Sequence, residues 1–290
     1  MPNFKCHFCK ICAGKGCIGE IPGMGGPNKS QNCIENFAAW QKYQLPVSEA
    51  QQSTPPQIRL APITGAVENV GYTDERQFYF DLLRSCADSG VPLSIGDGTP
   101  DEKLLFGLEA LRSLKKKAAV FIKPYPDARF FERIDWSLDC AEFLGIDIDS
   151  YNIVTMRNLV HLEQKTSGQL CKIKEYLSKH GIPFVIKGIF SENDLKMIEE
   201  VKPDVAYVSN HGGRVDTHFG STADFLAKNA KFLSSHCGQV WVDGGLRTQK
   251  QLLVAGALGA DVALFARPFI TALCRNKETG ISEFVAEISK

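Results

Sequence analysis

The segment 207–214, Tyr-Val-Ser-Asn-His-Gly-Gly-Arg, holds the residue types best suited to acid–base chemistry. It begins as an apolar run typical of a buried strand and ends in a polar cluster that contains His211 and Arg214. A histidine changes protonation near neutral pH, and an arginine can hold a carboxylate through two parallel hydrogen bonds. The two intervening glycines allow a sharp turn and the close approach of a flat ligand. The segment therefore predicts chemistry on a small anionic substrate at the end of a strand.

Eight short β-rich runs alternate with amphipathic helical segments from residue 58 onward. The predicted strands are Ile58–Gly65, Val91–Gly98, Ala118–Tyr125, Phe143–Asp149, Pro183–Ile189, Val205–Gly212, Gln239–Gly245 and Val262–Pro268. The helical patterns lie near 75–89, 101–116, 128–142, 167–180, 192–201, 222–235, 247–258 and 269–287. This count is that of an α/β fold, the closed (β/α)8 TIM barrel. A doubly wound open sheet is the main alternative, but it would leave edge strands, whereas all eight runs are nearly continuously apolar.

Two parts of the chain differ in composition. Residues 58–290 are predicted to form the barrel, and residues 1–57, which are rich in glycine and proline, a loop-rich N-terminal extension.

The 33 basic and 33 acidic residues cancel, which excludes the strong positive charge of a nucleic-acid or membrane-surface binder. No apolar run is long enough to span a bilayer, and the first residues are not a secretory signal. We therefore expect a soluble, cytoplasmic protein.

Polar residues collect where the predicted strands end. Active sites of TIM barrels lie at this C-terminal rim, and charged groups within apolar strands are costly unless they are paired or bind a ligand. Any one of them could be a structural ion pair, but the whole set is better explained by a functional site. The rim residues are Thr64, Lys123, Asp147, Asp149, Lys187, Ser209, Asn210, His211, Arg214, Asp243, Arg247 and Arg267.

The last two loops have the features of a phosphate site. Asp243-Gly244-Gly245 ends the seventh predicted strand, and Ala266-Arg267-Pro268 ends the eighth. In this fold those loops commonly bind phosphate through backbone N–H groups and a helix N-terminus. A glycine pair also serves a tight turn, so the neighbouring Arg267 is what favours a phosphate-bearing ligand.

Five ordered segments carry a resemblance to a known family. They are Ile186-Lys187-Gly188-Ile189, Val208–Arg214, Asp243–Arg247, Leu258-Gly259-Ala260 and Arg267-Pro268-Phe269, with Ala61–Gly65 as a weaker match. The chain resembles the FMN-dependent α-hydroxy-acid dehydrogenases and oxidases, which include glycolate and lactate oxidases. The resemblance implies an FMN cofactor, a small 2-hydroxy acid substrate and a homo-oligomer, often a tetramer. It leaves the electron acceptor open.

The same resemblance implies roles for particular residues. His211 is the expected base, Asp149 the carboxylate that pairs with it, and Arg214 the clamp for the substrate carboxylate. Lys187 is expected beside the flavin N1/O2 edge, where its charge stabilises the reduced ring. The implied cofactor contacts are Ala61, Pro62, Ile63, Thr64, Lys187, Ser209, Asp243, Gly244, Gly245, Arg247, Ala266 and Arg267.

Three departures from the family pattern concern the substrate pocket and the phosphate loop. Lys123 stands where a substrate-contacting tyrosine is expected, and we expect Lys123 to contact the substrate instead. A second carboxylate-binding arginine has no clear match, because Arg157 is offset from its position. Ala266 replaces a common glycine and fits only if its φ is negative. Flavin binding is thus better supported than hydroxy-acid oxidation, and the alternative is an FMN barrel acting on another carbonyl or alcohol substrate.

The N-terminal cysteines form a separate motif. Cys6, Cys9 and Cys12 follow one another at two-residue gaps, Cys17 follows four residues later, and Cys33 lies beyond. Such a triplet can wrap one ion or cluster, which predicts an iron–sulfur cluster or zinc bound by Cys6, Cys9, Cys12 and Cys17. Disulfides and free thiols remain alternatives. A cluster beside a flavin would imply electron transfer to a carrier, and a flavin- or metal-dependent redox sensor is a third functional hypothesis.

Overall fold

The computed structural model of the chain describes residues 30–43, 54–65, 72, 74–153 and 160–290. Eight parallel strands form one sheet in the order β1-β8-β7-β6-β5-β4-β3-β2. They are β1 (Gln57–Leu60), β2 (Leu93–Gly96), β3 (Ala118–Ile122), β4 (Ala141–Asp147), β5 (Phe184–Ile189), β6 (Val205–Val208), β7 (Gln239–Val242) and β8 (Val262–Phe265). The Leu60 N–H donates to the Pro92 carbonyl at 3.0 Å between β1 and the start of β2, which brings the two ends of the sheet together. The predicted (β/α)8 TIM barrel is therefore confirmed.

Ten α-helices are described, and nine of them follow the strands. They are α1 (Gln31–Lys42), α2 (Glu75–Asp88), α3 (Glu102–Leu114), α4 (Asp127–Ser137), α5 (Ser167–Lys179), α6 (Glu192–Val201), α7 (Thr222–His236), α8 (Gln249–Ala257), α9 (Arg267–Arg275) and α10 (Gly280–Ile288). Several begin at serine or threonine caps, such as Thr166 and Ser191, whose hydroxyls accept backbone N–H groups of the first turn. Among the described residues, no helix is both long enough and apolar enough to cross a bilayer.

Two helical predictions were too long. The pattern 128–142 ends at Ser137, because Ala141 already pairs with Ala118 in the sheet and is buried there. The pattern 269–287 is two helices, because Asn276 is extended and its side-chain oxygen accepts the N–H groups of Glu278 and Thr279. These side-chain bonds offer the backbone an alternative to a continuous helix.

The predicted loop-rich extension contains a regular element. Helix α1 spans twelve residues and is capped by the preceding Ser30, whose hydroxyl accepts the Cys33 N–H at 3.2 Å. Cys33, Phe37 and Trp40, spaced by four and three positions, are buried on one face of α1. This face packs on the loop after β6 and on α7, so α1 covers part of the C-terminal rim.

The barrel interior is filled by side chains. Phe121, Tyr207 and Trp241 meet edge to face, with ring centroids 5.6 and 6.0 Å apart along the series. These rings are almost fully buried together with small and branched residues from the other strands. A barrel of this kind is a packed core and not a pore, so chemistry is confined to its mouth.

Candidate active site

A buried ion network occupies the mouth of the barrel. Asp147 ends β4, and Lys187 lies directly beside it in the register of β5. The Lys187 Nζ donates to Asp147 Oδ1 at 2.6 Å, and the Lys123 Nζ, at the end of β3, lies 3.7 Å from Asp147 Oδ2. All three side chains are at least nine-tenths buried. Three neighbouring strands therefore place a carboxylate between two ammonium groups.

The groups of this network shift one another's pKa values. Burial alone would raise the pKa of Asp147, but Lys187, with His211 and Lys123, holds it well below its usual range. Burial alone would lower the pKa of Lys187, but Asp147, Asp149 and Asp243 raise it above its usual value. Lys187 is therefore a permanent cation at neutral pH.

His211 lies in a tight turn directly after β6. His211–Gly213 form one turn of 3-10 helix, and both His211 (φ 57°) and Gly212 (φ 63°) are left-handed. This conformation costs a non-glycine residue roughly 1–2 kcal/mol. The Asn210 side-chain oxygen accepts the Gly213 N–H at 3.0 Å, and the Ser209 hydroxyl accepts the His211 N–H at 3.2 Å. Strained backbone conformations of this kind are concentrated at functional sites of proteins.

The predicted pairing of His211 with Asp149 is present in the geometry. The His211 Nδ1 lies 3.2 Å from Asp149 Oδ1 and 3.7 Å from Asp147 Oδ1. The Lys187 Nζ is 3.4 Å from the same nitrogen. With Nδ1 directed at the carboxylate, Nε2 is the nitrogen left for a substrate proton.

Gly188 makes this pairing sterically feasible, and the sequence analysis missed its role. A Cβ at Gly188 would lie 2.8 Å from the Asp149 carboxyl carbon, and its φ of +100° disfavours other residues. The glycine within the Ile186–Ile189 motif was the available signal, because glycine is favoured where another group must approach the backbone closely.

The arginines of the rim form a second charged group. Burial and repulsion by Arg267 lower the pKa of Arg214 to about 9, and the same two causes lower the pKa of Arg247 to about 10. In both cases Cys33 of α1 opposes the change. The Arg247 guanidinium also lies over the Phe37 ring, 4.9 Å from its centroid. The structure thus gathers Arg214 with the two arginines expected at a phosphate, a neighbourhood that fits a bound dianion.

The paired glycines after β7 are closely covered by α1. Gly244 and Gly245 have φ near +90°, and a Cβ on either would lie within 3 Å of Asn36. The Trp40 indole N–H donates to the Gly244 carbonyl at 2.6 Å. These glycines therefore have a packing role that the sequence pattern alone did not indicate.

The remaining predicted cofactor contacts lie along the same rim. Residues 61–64 follow β1, and the Thr64 methyl carbon lies against Gly96 at the end of β2. Asp243, after β7, accepts the Tyr207 hydroxyl at 2.8 Å. Ala266 has a φ of −106°, which satisfies the condition under which alanine can replace glycine.

A further buried network next to Lys123 was not predicted. Asp97, in the loop after β2, accepts the Lys123 backbone N–H at 3.3 Å and lies 3.2 Å from the Arg133 Nε. Burial raises the pKa of Asp97 to about 6, against the opposing effect of Arg133 and Lys123. Arg133 also pairs with Asp101 and lies over the Tyr125 ring. The charges of strands β2 to β5 thus alternate around the mouth.

Asp147, Asp149 and His211 could also be regarded as a metal site, since one ligand atom from each lies within 4.8 Å of the others. Lys187 already neutralises Asp147 at hydrogen-bond distance, which favours proton transfer over cation binding. The predicted metal ligands Cys6, Cys9, Cys12 and Cys17 lie outside the described residues.

A known protein family matches the part of the chain that forms most of this rim. A family model described as FMN-dependent dehydrogenase matches residues 123–290, more than half of the chain. The chain belongs to the FMN-dependent dehydrogenase family. The family match begins at Lys123 and includes all of the rim from β4 to β8, whereas α1 and Asp97 precede it.

Two named proteins are similar to parts of this chain. An L-lactate dehydrogenase of Vibrio parahaemolyticus is 37% identical over 170 residues, covering 52% of this chain and 42% of the relative. An L-lactate oxidase of Lactobacillus jensenii is 31% identical over 220 residues, covering 74% of this chain and 47% of the relative. The chain therefore spans less than half the length of these relatives.

Solved structures support the fold over most of the chain. A mandelate oxidase variant with benzoyl-formic acid superposes with a TM-score of 0.69 at 19% identity. The alignment covers 89% of this chain and 82% of the oxidase. At this identity, the likeness shows that the two proteins share the barrel fold.

Proposed function

We propose that the protein binds FMN at the C-terminal mouth of the barrel and oxidises a small 2-hydroxy acid to the 2-oxo acid. Residues 58–290 form the FMN-binding barrel in this proposal, and residues 1–57 an extension. The observation that carries it is the position of His211, whose Nδ1 lies within 3.4 Å of both the Asp149 carboxylate and the Lys187 ammonium. A group of three arginines belongs to the same rim. Names of relatives that act on lactate and other hydroxy acids support the substrate class.

The residues of the rim fit FMN. Burial and repulsion by Arg267 lower the pKa of both Arg214 and Arg247, so a phosphate dianion would offset the lost hydration and the repulsion together. Arg247, Arg267 and the loop 243–245 are proposed to hold the phosphate end. Residues 61–64 and Ser209 are proposed to line the ring. When bound, FMN supplies at N5 the acceptor for the hydrogen that leaves the substrate carbon.

Lys187 provides a fixed positive charge for the ring. It is buried and its pKa is raised, so it stays charged while negative charge develops beside it. A preorganised cation in a site of low dielectric stabilises such charge without reorganisation. This gives Lys187 a role in catalysis and in cofactor binding.

His211 is proposed as the base that takes the hydroxyl proton of the substrate at Nε2. Asp149, at 3.2 Å from Nδ1, holds the ring in orientation and stabilises its protonated form. The neighbouring Asp147 is already neutralised by Lys187, which leaves Asp149 as the free partner for an imidazolium. A histidine held in this way by a carboxylate is a common arrangement in general-base catalysis.

Arg214 and Lys123 are proposed to bind the substrate. Arg214 is the arginine of the family motif, and Lys123 replaces a family tyrosine. The Lys123 ammonium is 3.7 Å from Asp147, beyond hydrogen-bond length, and it makes no side-chain hydrogen bond to any described residue. A buried ammonium with three unused donors is suited to an anionic or hydroxyl oxygen of a ligand.

The proposal is tested by steady-state oxidation of 2-hydroxy acids by the FMN-loaded protein with an artificial electron acceptor. The expected product is the 2-oxo acid, identified by mass spectrometry. The amide of the same 2-hydroxy acid, which lacks the carboxylate, is expected to react far more slowly. Equal rates with acid and amide would refute the carboxylate-binding part, and no turnover with any 2-hydroxy acid would refute the substrate class.

A further inference from the structure

Helix α1 precedes the part of the chain that the family model matches, yet it contacts both loops that carry the proposed chemistry. On the β7 side, Trp40 donates to the Gly244 carbonyl. On the β6 side, the Ser30 hydroxyl donates to the Gly213 carbonyl at 2.6 Å. A Cβ at Gly213 would lie 2.6 Å from the Cys33 backbone nitrogen, so the turn after His211 is pressed directly against α1.

Asn36 is the central polar residue of this contact, and only 1% of it is exposed. Its Nδ2 donates to Asn210 Oδ1 at 2.8 Å, and the Asn210 Nδ2 donates back to Asn36 Oδ1 at 3.1 Å. The same Asn36 oxygen accepts the Thr222 N–H at 3.0 Å. One amide thus ties the start of the loop, at Asn210, to its end at the first residue of α7.

Asn210 transmits this contact to the turn that holds His211. Its side-chain oxygen accepts both the Asn36 amide and the Gly213 N–H. Its backbone oxygen accepts the N–H groups of Gly213 and Val215. These bonds close the turn in which His211 is left-handed, a conformation that needs the surroundings to determine it.

Asn32 fixes the middle of the same loop one helical turn earlier in α1. Its Nδ2 donates to the carbonyls of Val215 and His218, both at 2.7 Å, and its oxygen accepts the Gly220 N–H at 3.0 Å. Asn32 is also 1% exposed. Two buried asparagines on one face of α1 therefore provide side-chain partners for the loop 210–220, which lacks sheet or α-helical bonds of its own.

We propose that Asn36 is a positioning residue for His211, acting through Asn210. The catalytic meaning of this inference rests on the proposed function, but the placement of the turn does not. Without the Asn36 amide, Asn210 Oδ1 loses one of its two donors and its Nδ2 loses its nearest acceptor. The turn then exchanges with conformations in which the His211 ring no longer faces Asp149.

A residue that only stabilises the fold would behave differently. Loss of such a residue lowers the thermal midpoint but leaves the folded fraction fully active. A positioning residue changes the rate constant of the chemical step in protein that is still folded, and its effect does not add to that of the residue through which it acts.

The test is a double-variant cycle on the FMN-loaded protein with Asn36→Ala, Asn210→Ala and the pair together. The control is Ile34→Ala, on the exposed side of the same helix. The readouts are the limiting rate constant of anaerobic flavin reduction, FMN content, and hydrogen–deuterium exchange of the peptides that cover 209–222. Exchange requires no substrate, so it reports on the turn even if no 2-hydroxy acid is oxidised.

We expect Asn36→Ala to slow flavin reduction by roughly tenfold to a hundredfold, since misplacement of a catalytic group by about 1 Å has effects of this size. FMN content is expected to stay at the level of the control, exchange in 209–222 to increase, and the double variant to be no slower than Asn210→Ala alone. The proposal would be overturned if the double variant were slowed by the product of the two single effects. It would also be overturned if Asn36→Ala showed the same exchange in 209–222 as Ile34→Ala.

A second variant covers the case in which Asn36→Ala does not fold. Asn36→Asp keeps an oxygen for the Thr222 N–H but cannot donate to Asn210. We expect it to increase exchange in 209–222 above the level of the control Ile34→Ala. Exchange in 209–222 equal to that of the wild type would contradict a role that acts through Asn210. If exchange changes as expected but no 2-hydroxy acid reduces the flavin, the proposed function is wrong and the positioning of the turn stands.

Discussion

Asp149 reaches His211 only because residue 188 has no side chain. A Cβ at Gly188 would lie 2.8 Å from the Asp149 carboxyl group, in the space that this carboxylate needs. The pairing of base and carboxylate therefore depends on a glycine in the neighbouring strand β5.

The substitution Gly188→Ala tests this dependence. It is expected to displace Asp149 and to strain a backbone with φ +100°, so substrate-dependent flavin reduction should fall by about 100-fold. FMN affinity is expected to change little. The matched control is Gly181→Ala, also at positive φ but with nothing within 4 Å of its Cβ. Equal activity of the two variants would show that Asp149 does not need this space.

Lys123 is tested by Lys123→Met, which keeps the length of the side chain but removes the charge. If Lys123 binds the substrate, KM should rise by roughly tenfold or more, since a hydrogen bond to a charged group contributes about 1.5–3 kcal/mol. Lys172→Met, at an exposed position of α5, is the control. An unchanged KM together with a lower kcat would instead assign Lys123 to the orientation of Asp147.

The phosphate assignment is tested by Arg267→Ala, with Arg275→Ala at the exposed end of the same helix as control. Loss of one charge-assisted contact is expected to weaken FMN binding by roughly 10- to 100-fold. Fluorescence titration of the flavin-free protein measures this affinity. If both variants bind FMN like the wild type, Arg267 is not a phosphate ligand.

Asp97 gives the stability of the protein a pH dependence of defined sign. Its pKa is raised to about 6 by burial, so between about pH 4 and pH 6 the native state binds more protons than the unfolded state. This carboxyl therefore makes the native state less stable as pH rises through that window, by roughly 3 kcal/mol in all.

The substitution Asp97→Asn removes this contribution. The free energy of unfolding of the variant minus that of the wild type should increase by roughly 2–3 kcal/mol between about pH 4 and pH 6 and then stay constant. Urea unfolding at several pH values measures it, with the exposed Asp88→Asn as control. A difference that does not vary with pH would contradict a raised pKa for Asp97.

Much of the fold and the rim was accessible from the sequence, because both depend on local patterns. Apolar runs followed by a polar residue predicted the eight strands, and the strand ends brought Lys187, Asp149 and His211 together as expected. The contact between Asp97 and Arg133 was not accessible, since the two residues lie on different elements and no spacing links them.

Helix α1 was only partly predictable from the sequence. Ser30 and the spacing of Cys33, Phe37 and Trp40 are signals of a capped amphipathic helix. The glycines and prolines of residues 1–57 predicted a loop-rich extension instead. What α1 does at the rim depends on Asn32 and Asn36, and the partners of a polar side chain cannot be inferred from its own element.

The central claim is that His211 is the base at a flavin bound in the barrel mouth. The most direct test is the anaerobic mixing of a 2-hydroxy acid with FMN-loaded wild type and with His211→Asn, followed by the visible absorbance of the flavin. We expect the wild type to bleach in one rapid phase and the variant to retain its flavin but bleach roughly 100- to 10,000-fold more slowly. Equal bleaching rates in the two proteins, or a wild-type protein that takes up no FMN, would contradict the account.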